Sequence, residues 1–337
     1  MTDVVTAAVN GRAGSTALEE HRVALTGYCY RMLGSVYEAE DAVQDTMVRA
    51  WRGLDRFDGR SALRTWLYRI ATNVCLDSLN GRNRRAFPID LAPSSPAAAA
   101  MAGPLPTESW IGPALDRQVL TAADDPAELA VQRDSVRLAF IAALQHLPPR
   151  QRAVLVLREV LRWSAAEVAE LLDTSEASVN SALQRARATL AARDADDSPL
   201  EQDLDDEHRR LLTRYVEAFE SFDIDRLVTL LREDAVQTMP PFPMWLEGPH
   251  DIRTWLLGPG AGCRGSRLIP LSTVNGCPAF AQYRRDPQGG HSAFAIQVLD
   301  VDDGRIARFT HFLDLAQFSA FGLPLHLEPG APAPTAG

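Results

Sequence analysis

The sequence predicts a multidomain protein in which two all-α domains precede one α+β domain. Three observations carry this. From Ala17 to about Arg85, and again from Asp124 to Ala192, apolar residues recur at helical spacing, without the strict alternation of strands. An acidic run, DADDSPLEQDLDDE at 194–207, then interrupts the pattern. Beyond it, helical segments give way to four alternating segments separated by Asn-Gly, Pro-to-Gly and Asp-to-Gly turns. A chain of 337 residues is long enough to give each part its own core.

The elements follow in order. Leu18 to Leu33 forms a helix stopped near Gly34, and Ser35 to Trp51 a second with Ala39, Ala42, Val43, Met47, Ala50 and Trp51 inward. Its other face carries Asp41, Gln44, Asp45 and Arg49. A loop, 52–61, leads to a third helix, Ala62 to Asn80, which Gly81 ends. That helix mixes Arg64, Arg69 and Asn73 with Trp66 and Tyr68, the combination of charge and π-faces an unstacked strand requires. Trp66 suits the core better. Residues 86–123, rich in Pro, Ala and Ser, read as a flexible linker in which Trp110, Ile111 and Leu115 are apolar enough to dock. Asp124 or Asp125 begins another helical domain, whose first stretch stops at Pro148-Pro149, and Arg150 to Arg162 forms the next helix.

Trp163 to Leu190 is a helix-turn-helix. Ser164 and Glu167 form a capping box, and Asp173 tolerates the left-handed turn. Thr174 or Ser175 caps the second helix, which faces Val179, Leu183 and Ala186 inward. Ser178, Asn180, Ser181, Gln184, Arg185 and Arg187 face outward, small hydroxyls first and arginines behind, as suits a helix lying in a major groove.

Composition sets limits. Hydrophobic residues make up 46%, but no apolar run approaches the length of a membrane span, and the N-terminus lacks a signal-peptide pattern. Cys29, Cys75, Cys263 and Cys277 show neither metal nor disulfide spacing. A reduced, cytoplasmic protein with no membrane contact, metal or cofactor is expected. The net charge of −10 is no bar to nucleic acid, because the acids cluster and the arginine-bearing helices keep local positive charge.

The separate motifs resemble, in order, the extracytoplasmic-function branch of the sigma-70 family of bacterial RNA polymerase sigma factors. EAEDAVQDTMVRAW resembles the helix by which sigma domain 2 grips the clamp coiled coil of the polymerase, placing contacts at Asp41, Gln44, Asp45 and Arg49. RFDGRSALRTWLYRIATN resembles the segment that reads the −10 element, implying roles for Arg56, Phe57, Asp58, Gly59, Arg60, Ser61, Arg69 and Asn73. LQHLPPRQRAVLVLREVLRWSAAEVAELL resembles domain 4, whose first part holds the polymerase flap. Its last helix then reads the −35 element through Ser175, Ser178, Asn180, Ser181, Gln184, Arg185 and Arg187. Many members carry basic residues where Asn180 and Ala182 stand, so fewer phosphate contacts are expected here.

The C-terminal part resembles the SnoaL-like, NTF2-like fold, a cone of curved antiparallel sheet wrapped by helices. The resulting layout is domain 2 at 17–85, linker at 86–123, domain 4 at 124–193, acidic linker at 194–206, SnoaL-like domain at 207–325 and a disordered tail at 326–337. The partners it implies are core RNA polymerase through clamp and flap, promoter DNA, and a candidate small ligand against Phe242, Trp245, Trp255, Phe280, Phe294 and Phe312. The rival reading is a pocket cyclase or isomerase with a DNA-binding arm. The isomerase-like members place a carboxylate base at about Met239, where none stands; Asp251, Asp300, Asp314 and His311 are the remaining candidates. No catalysis is expected.

Overall fold

The computed structural model describes residues 16–54, 57, 62–98, 103–122, 125–192 and 206–330. The chain divides into two compact units, Met1–Arg84 with Arg117–Asp197, and Arg85–Asp116 with Ser198–Gly337.

The first unit is helical. It contains α1 (Arg22–Leu33), α2 (Val36–Gly53) and α3 (Leu63–Leu79), then α4 (Pro126–Asp134), α5 (Leu138–Gln145), α6 (Pro149–Leu155), α7 (Ala165–Leu171) and α8 (Glu176–Ala191). Gly34 ends α1 in the left-handed conformation, donating its N–H to Tyr30 at 2.8 Å, and the Ser35 hydroxyl caps α2. Tyr28 packs edge-on to Tyr68 and shares a 2.8 Å hydrogen bond with Thr72, which joins α1 to α3. A Cβ on Gly27 would stand 2.1 Å from the Val119 carbonyl oxygen, so only glycine permits this approach of the chain to α1.

The helical stretch that begins after Asp125 is two helices, α4 and α5, separated at Ser135. The cause is tertiary. Arg31 donates to the Ser135 hydroxyl at 2.7 Å and to the Gln132 carbonyl, and Ser135 itself donates to Gln132 O at 2.6 Å. Those bonds outweigh the helical propensity of the segment. The stretch after α6 continues as a π-helical turn, Val156–Val160, and ends at Arg162 with φ of 59°.

The second unit is α+β. Its helices are α9 (Asp206–Glu220), α10 (Ile224–Val228), α11 (Gly248–Leu257) and α12 (Ala316–Ala320). Its strands are β1 (Leu231–Thr238), β2 (Trp245–Glu247), β3 (Arg267–Pro270), β4 (Ala279–Arg285), β5 (His291–Asp302), β6 (Arg305–Phe312) and β7 (His326–Leu327). The sheet runs β2-β1-β6-β5-β4-β3, with β7 on β5. It is mixed rather than antiparallel throughout, because β1 lies parallel to β6. Tyr215 and Phe219 of α9 and Trp255 of α11 close over the inner face with Phe280, Leu299 and Phe309.

The described residues of 86–116, a stretch expected as a free linker, are laid along this second unit. The Trp245 indole donates to Ala92 O at 2.8 Å, and Trp245 O accepts from Ser95 N. Leu105 N donates to Pro241 O, and Ala97 joins the core cluster. At the far end the Asn275 side chain accepts from Ala114 N, and Asp116 accepts from Gly276 N at 2.8 Å. Trp110, Ile111 and Leu115 are buried, so the segment has the apolar anchors and paired backbone groups that a mobile linker lacks.

Candidate nucleic-acid interface

The helix-turn-helix forms as its residues dictate. Ser164 and Glu167 cap each other across the start of α7, Asp173 takes φ of 50° at the turn, and Ser175 caps α8 by accepting from Ser178 N at 3.2 Å. Val179, Leu183 and Ala186 are buried. Ser175, Ser178, Asn180, Ser181, Gln184, Arg185 and Arg187 are all exposed, forming one continuous polar face. The Ser178 hydroxyl lies 2.9 Å from that of Ser175, and Arg187 is paired with Glu159 at 2.6 Å. Asn180, Ser181, Gln184 and Arg185 therefore project from the helix with less internal competition for a base edge or phosphate than Ser175, Ser178 or Arg187.

Of the −10 candidates, Arg56, Asp58, Gly59, Arg60 and Ser61 lie outside the described residues. Phe57 packs its ring 5.1 Å from Trp66, which is half-buried. Asn73 is exposed on α3. Arg69, four residues before it, donates to the Glu170 backbone oxygen at 2.8 Å and approaches the Glu170 carboxylate at 3.7 Å. Arg64 on the same helix stands 5.2 Å from the Trp163 ring centroid. Tyr68, also read as a π-face for bases, is buried between Tyr28 and Trp163. Part of the surface of α3 is thus turned toward the helix-turn-helix.

On α2, Asp41 and Gln44 are exposed and Asp45 is half-exposed, its carboxylate clamped by Arg49 at 2.7 Å. One sequence assignment is corrected. Trp51 is 63% exposed, not inward, because Thr46 and Ala50 take the buried positions and Trp51 falls one residue, about 100°, round the helix. With Val48 at 40% exposure it gives this acidic face an apolar component. An exposed tryptophan beside paired charges is a binding surface in composition.

In the second unit, Phe242, Trp255, Phe280 and Phe294 do join the interior cluster. Trp245 and Phe312 do not. Trp245 turns away to hold Ala92, and Phe312 follows His311 on β6 and so points to the opposite sheet face. Met239 is buried, and no described Asp or Glu side chain is buried anywhere. Asp314 caps α12 by accepting from Ala316 N, Asp251 lies in the first turn of α11, and Asp300 sits in β5 opposite Arg308. No candidate carboxylate occupies the interior, where a general base would be needed.

The interior is polar at one place. Tyr215 donates to Gln297 at 2.7 Å, Gln297 donates to Gln282, and Gln282 donates to Ser266. His311 lies beside this chain. Burial, together with the Arg284 guanidinium, pushes its pKa down to about 3. The unfolded chain binds a proton near pH 6.5 that the folded chain refuses, so stability is full above that value and is lost as pH falls toward 3. The expected slope is about 1.4 kcal/mol per pH unit in that window. Urea unfolding across it should show His311→Gln with a flatter acid limb; an unchanged limb would assign the loss to other groups.

Three families match the chain in succession. The sigma-70 region 2 family matches residues 17–85, sigma-70 region 4 matches 137–190, and the SnoaL-like domain family matches 212–309. Over 320 residues the chain is 45% identical to the ECF RNA polymerase sigma factor SigG of Mycobacterium tuberculosis, covering 92% of this chain and 84% of the relative. It is 28% identical over 325 residues to the ECF RNA polymerase sigma factor SigJ of the same species, covering 92% and 93%. The crystal structure of SigJ superposes over 92% of this chain and 98% of that one, with a TM-score of 0.58 at 24% identity, a likeness of fold.

Proposed function

The chain belongs to the extracytoplasmic-function RNA polymerase sigma factors, and from that premise we propose how its surfaces divide the work. It joins core RNA polymerase and directs initiation at a defined set of promoters. The exposed face of α2 meets the polymerase through Asp41, Gln44, Asp45 and Arg49, with Val48 and Trp51 supplying buried apolar area in the complex. Asn73 and Arg69, with the 56–61 loop, read the −10 strand, and the polar face of α8 reads the −35 element. No helix among the described residues is long and apolar enough to cross a membrane.

The C-terminal unit works on transcription without chemistry of its own. What supports this is the absence of any buried carboxylate among its described residues, together with its hold on residues 85–116, the segment that joins the two DNA-reading halves. Released, that segment spans roughly 3.3–3.6 Å per residue. Held, its ends are fixed by Trp245 and Asn275. A ligand of this unit changes activity only by binding its held and released forms unequally.

The observation that carries the regulatory reading is the Arg69–Glu170 contact, in which a residue of the −10 helix is occupied by the helix-turn-helix. Promoter binding requires the two halves to part. Asn80→Cys and Ala188→Cys place exposed labels on them, and the four native cysteines are buried. Energy transfer between the labels should fall when core polymerase is added. An unchanged signal in a complex that has formed refutes the parting.

A smaller effect follows at the contact itself. Glu170→Ala removes the exposed 3.7 Å ion pair, up to about 1 kcal/mol, and leaves Arg69 bonded to the residue 170 backbone oxygen, so transcription should rise by no more than about fivefold. A fall in run-off transcript would mean that Glu170 serves the open complex.

A further inference from the structure

A cavity of about 630 Å³ lies inside the helical unit, between α1, α3 and α4. Its floor includes Arg31, Tyr68 and Val119, all buried, and its rim sets Arg64 and Arg162 against Asp125 and Glu128, all exposed. None of the surfaces assigned above uses it.

Arg31 is its unusual member. The side chain is 3% exposed, yet its partners are the Gly27 and Gln132 carbonyls and the Ser135 hydroxyl, with no carboxylate among them. Neutral dipoles hold the guanidinium, no carboxylate among the described residues bonds to it, and burial pulls its pKa down to about 10. Arg162, at the rim, keeps a left-handed backbone at φ of 59°, a conformation that costs a non-glycine residue stability and persists where surroundings or use require it. The lining thus carries three arginines and two carboxylates, within a volume in the range of small-molecule sites.

We propose that this cavity binds a phosphorylated small molecule of mononucleotide size, its phosphate supplying the counter-charge to Arg31, Arg64 and Arg162 and its hydrogen-bond donors facing Asp125 and Glu128. The walls come from both halves of the unit, α1 and α3 on one side and α4 with Arg162 on the other. Occupancy therefore favours the closed arrangement and opposes polymerase. This second step rests on the parting of the halves proposed above; the binding step does not.

The test uses the full chain, AMP, adenosine and inorganic phosphate at constant ionic strength, followed by calorimetry. AMP should saturate a single site, with adenosine at least about tenfold weaker. Arg162→Gly removes the rim charge while suiting the backbone, so it should weaken AMP about tenfold without lowering the melting temperature. No saturation by AMP at millimolar concentration, equal binding of adenosine, or full AMP affinity in an Arg64→Gln/Arg162→Gly chain would each overturn the site. With AMP at ten times its Kd, the apparent affinity for core polymerase should fall about tenfold. AMP binding with undiminished polymerase affinity overturns the regulatory step. AMP binding by a chain that never engages polymerase leaves the site standing and refutes the polymerase reading instead.

Discussion

Asp45→Arg combined with Trp51→Ala should weaken core-polymerase binding by about a hundredfold, the size expected when a tryptophan and a paired charge are lost from one interface. The argument begins with the helix. Ala39, Ala42, Val43, Thr46 and Ala50 fasten α2 to its neighbours, and neither substituted residue is among them. Trp51 gives most of its surface to solvent and, among the described residues, Asp45 is bonded to Arg49, itself exposed. The variant should therefore fold as the parent does, with the same helical circular dichroism, and the loss should appear in dissociation rate. Binding within about threefold of the parent would show that the polymerase uses another face.

The largest stability effect is expected at Arg152. Its guanidinium donates to the Met32 carbonyl, to the Gln145 carbonyl and side chain, and to the Leu147 carbonyl. Met32 lies in the last turn of α1, Gln145 ends α5 and Leu147 lies two residues beyond it, so these carbonyls lack helical partners of their own. One side chain thus finishes two helices that belong to different halves of the unit. Arg152→Met keeps the aliphatic stem and strands those acceptors away from water. At about 1 kcal/mol or more for each unmet group, the loss should reach about 3–5 kcal/mol. Thermal unfolding should show it. A loss under about 1 kcal/mol would mean that water reaches those carbonyls.

Local rules made most of the helical unit legible. Gly34, Ser35, the Ser164–Glu167 box, Asp173 and Ser175 each act at the place their chemistry requires, because caps and turns depend on residues only a few positions apart. What the sequence could not display were bonds between distant residues. Arg31 breaks a helix that begins 95 residues later, Trp245 captures a segment more than a hundred residues earlier, and β1 joins β6 in parallel across an intervening meander. The site behaved likewise. The exposed polar face of α8 followed from periodicity, whereas the engagement of Arg69 by Glu170 depends on tertiary placement. Trp51 was misread because a terminal aromatic continues an apolar stripe on paper while the last helical turn rotates it outward. Two aromatics assigned to the ligand pocket, Trp245 and Phe312, failed for a related reason: strand side chains alternate, and neighbouring residues face opposite sides.

Run-off transcription by core polymerase on a library of genomic promoter fragments, with the full chain as the only specificity subunit, tests the whole account most directly. Discrete transcripts from a small set of promoters are expected. They should weaken with Asn73→Ala and with Gln184→Ala and vanish with the Asp45→Arg/Trp51→Ala chain. A protein that binds particular duplexes without polymerase, yet yields no transcript from any fragment, would contradict it and describe a repressor instead.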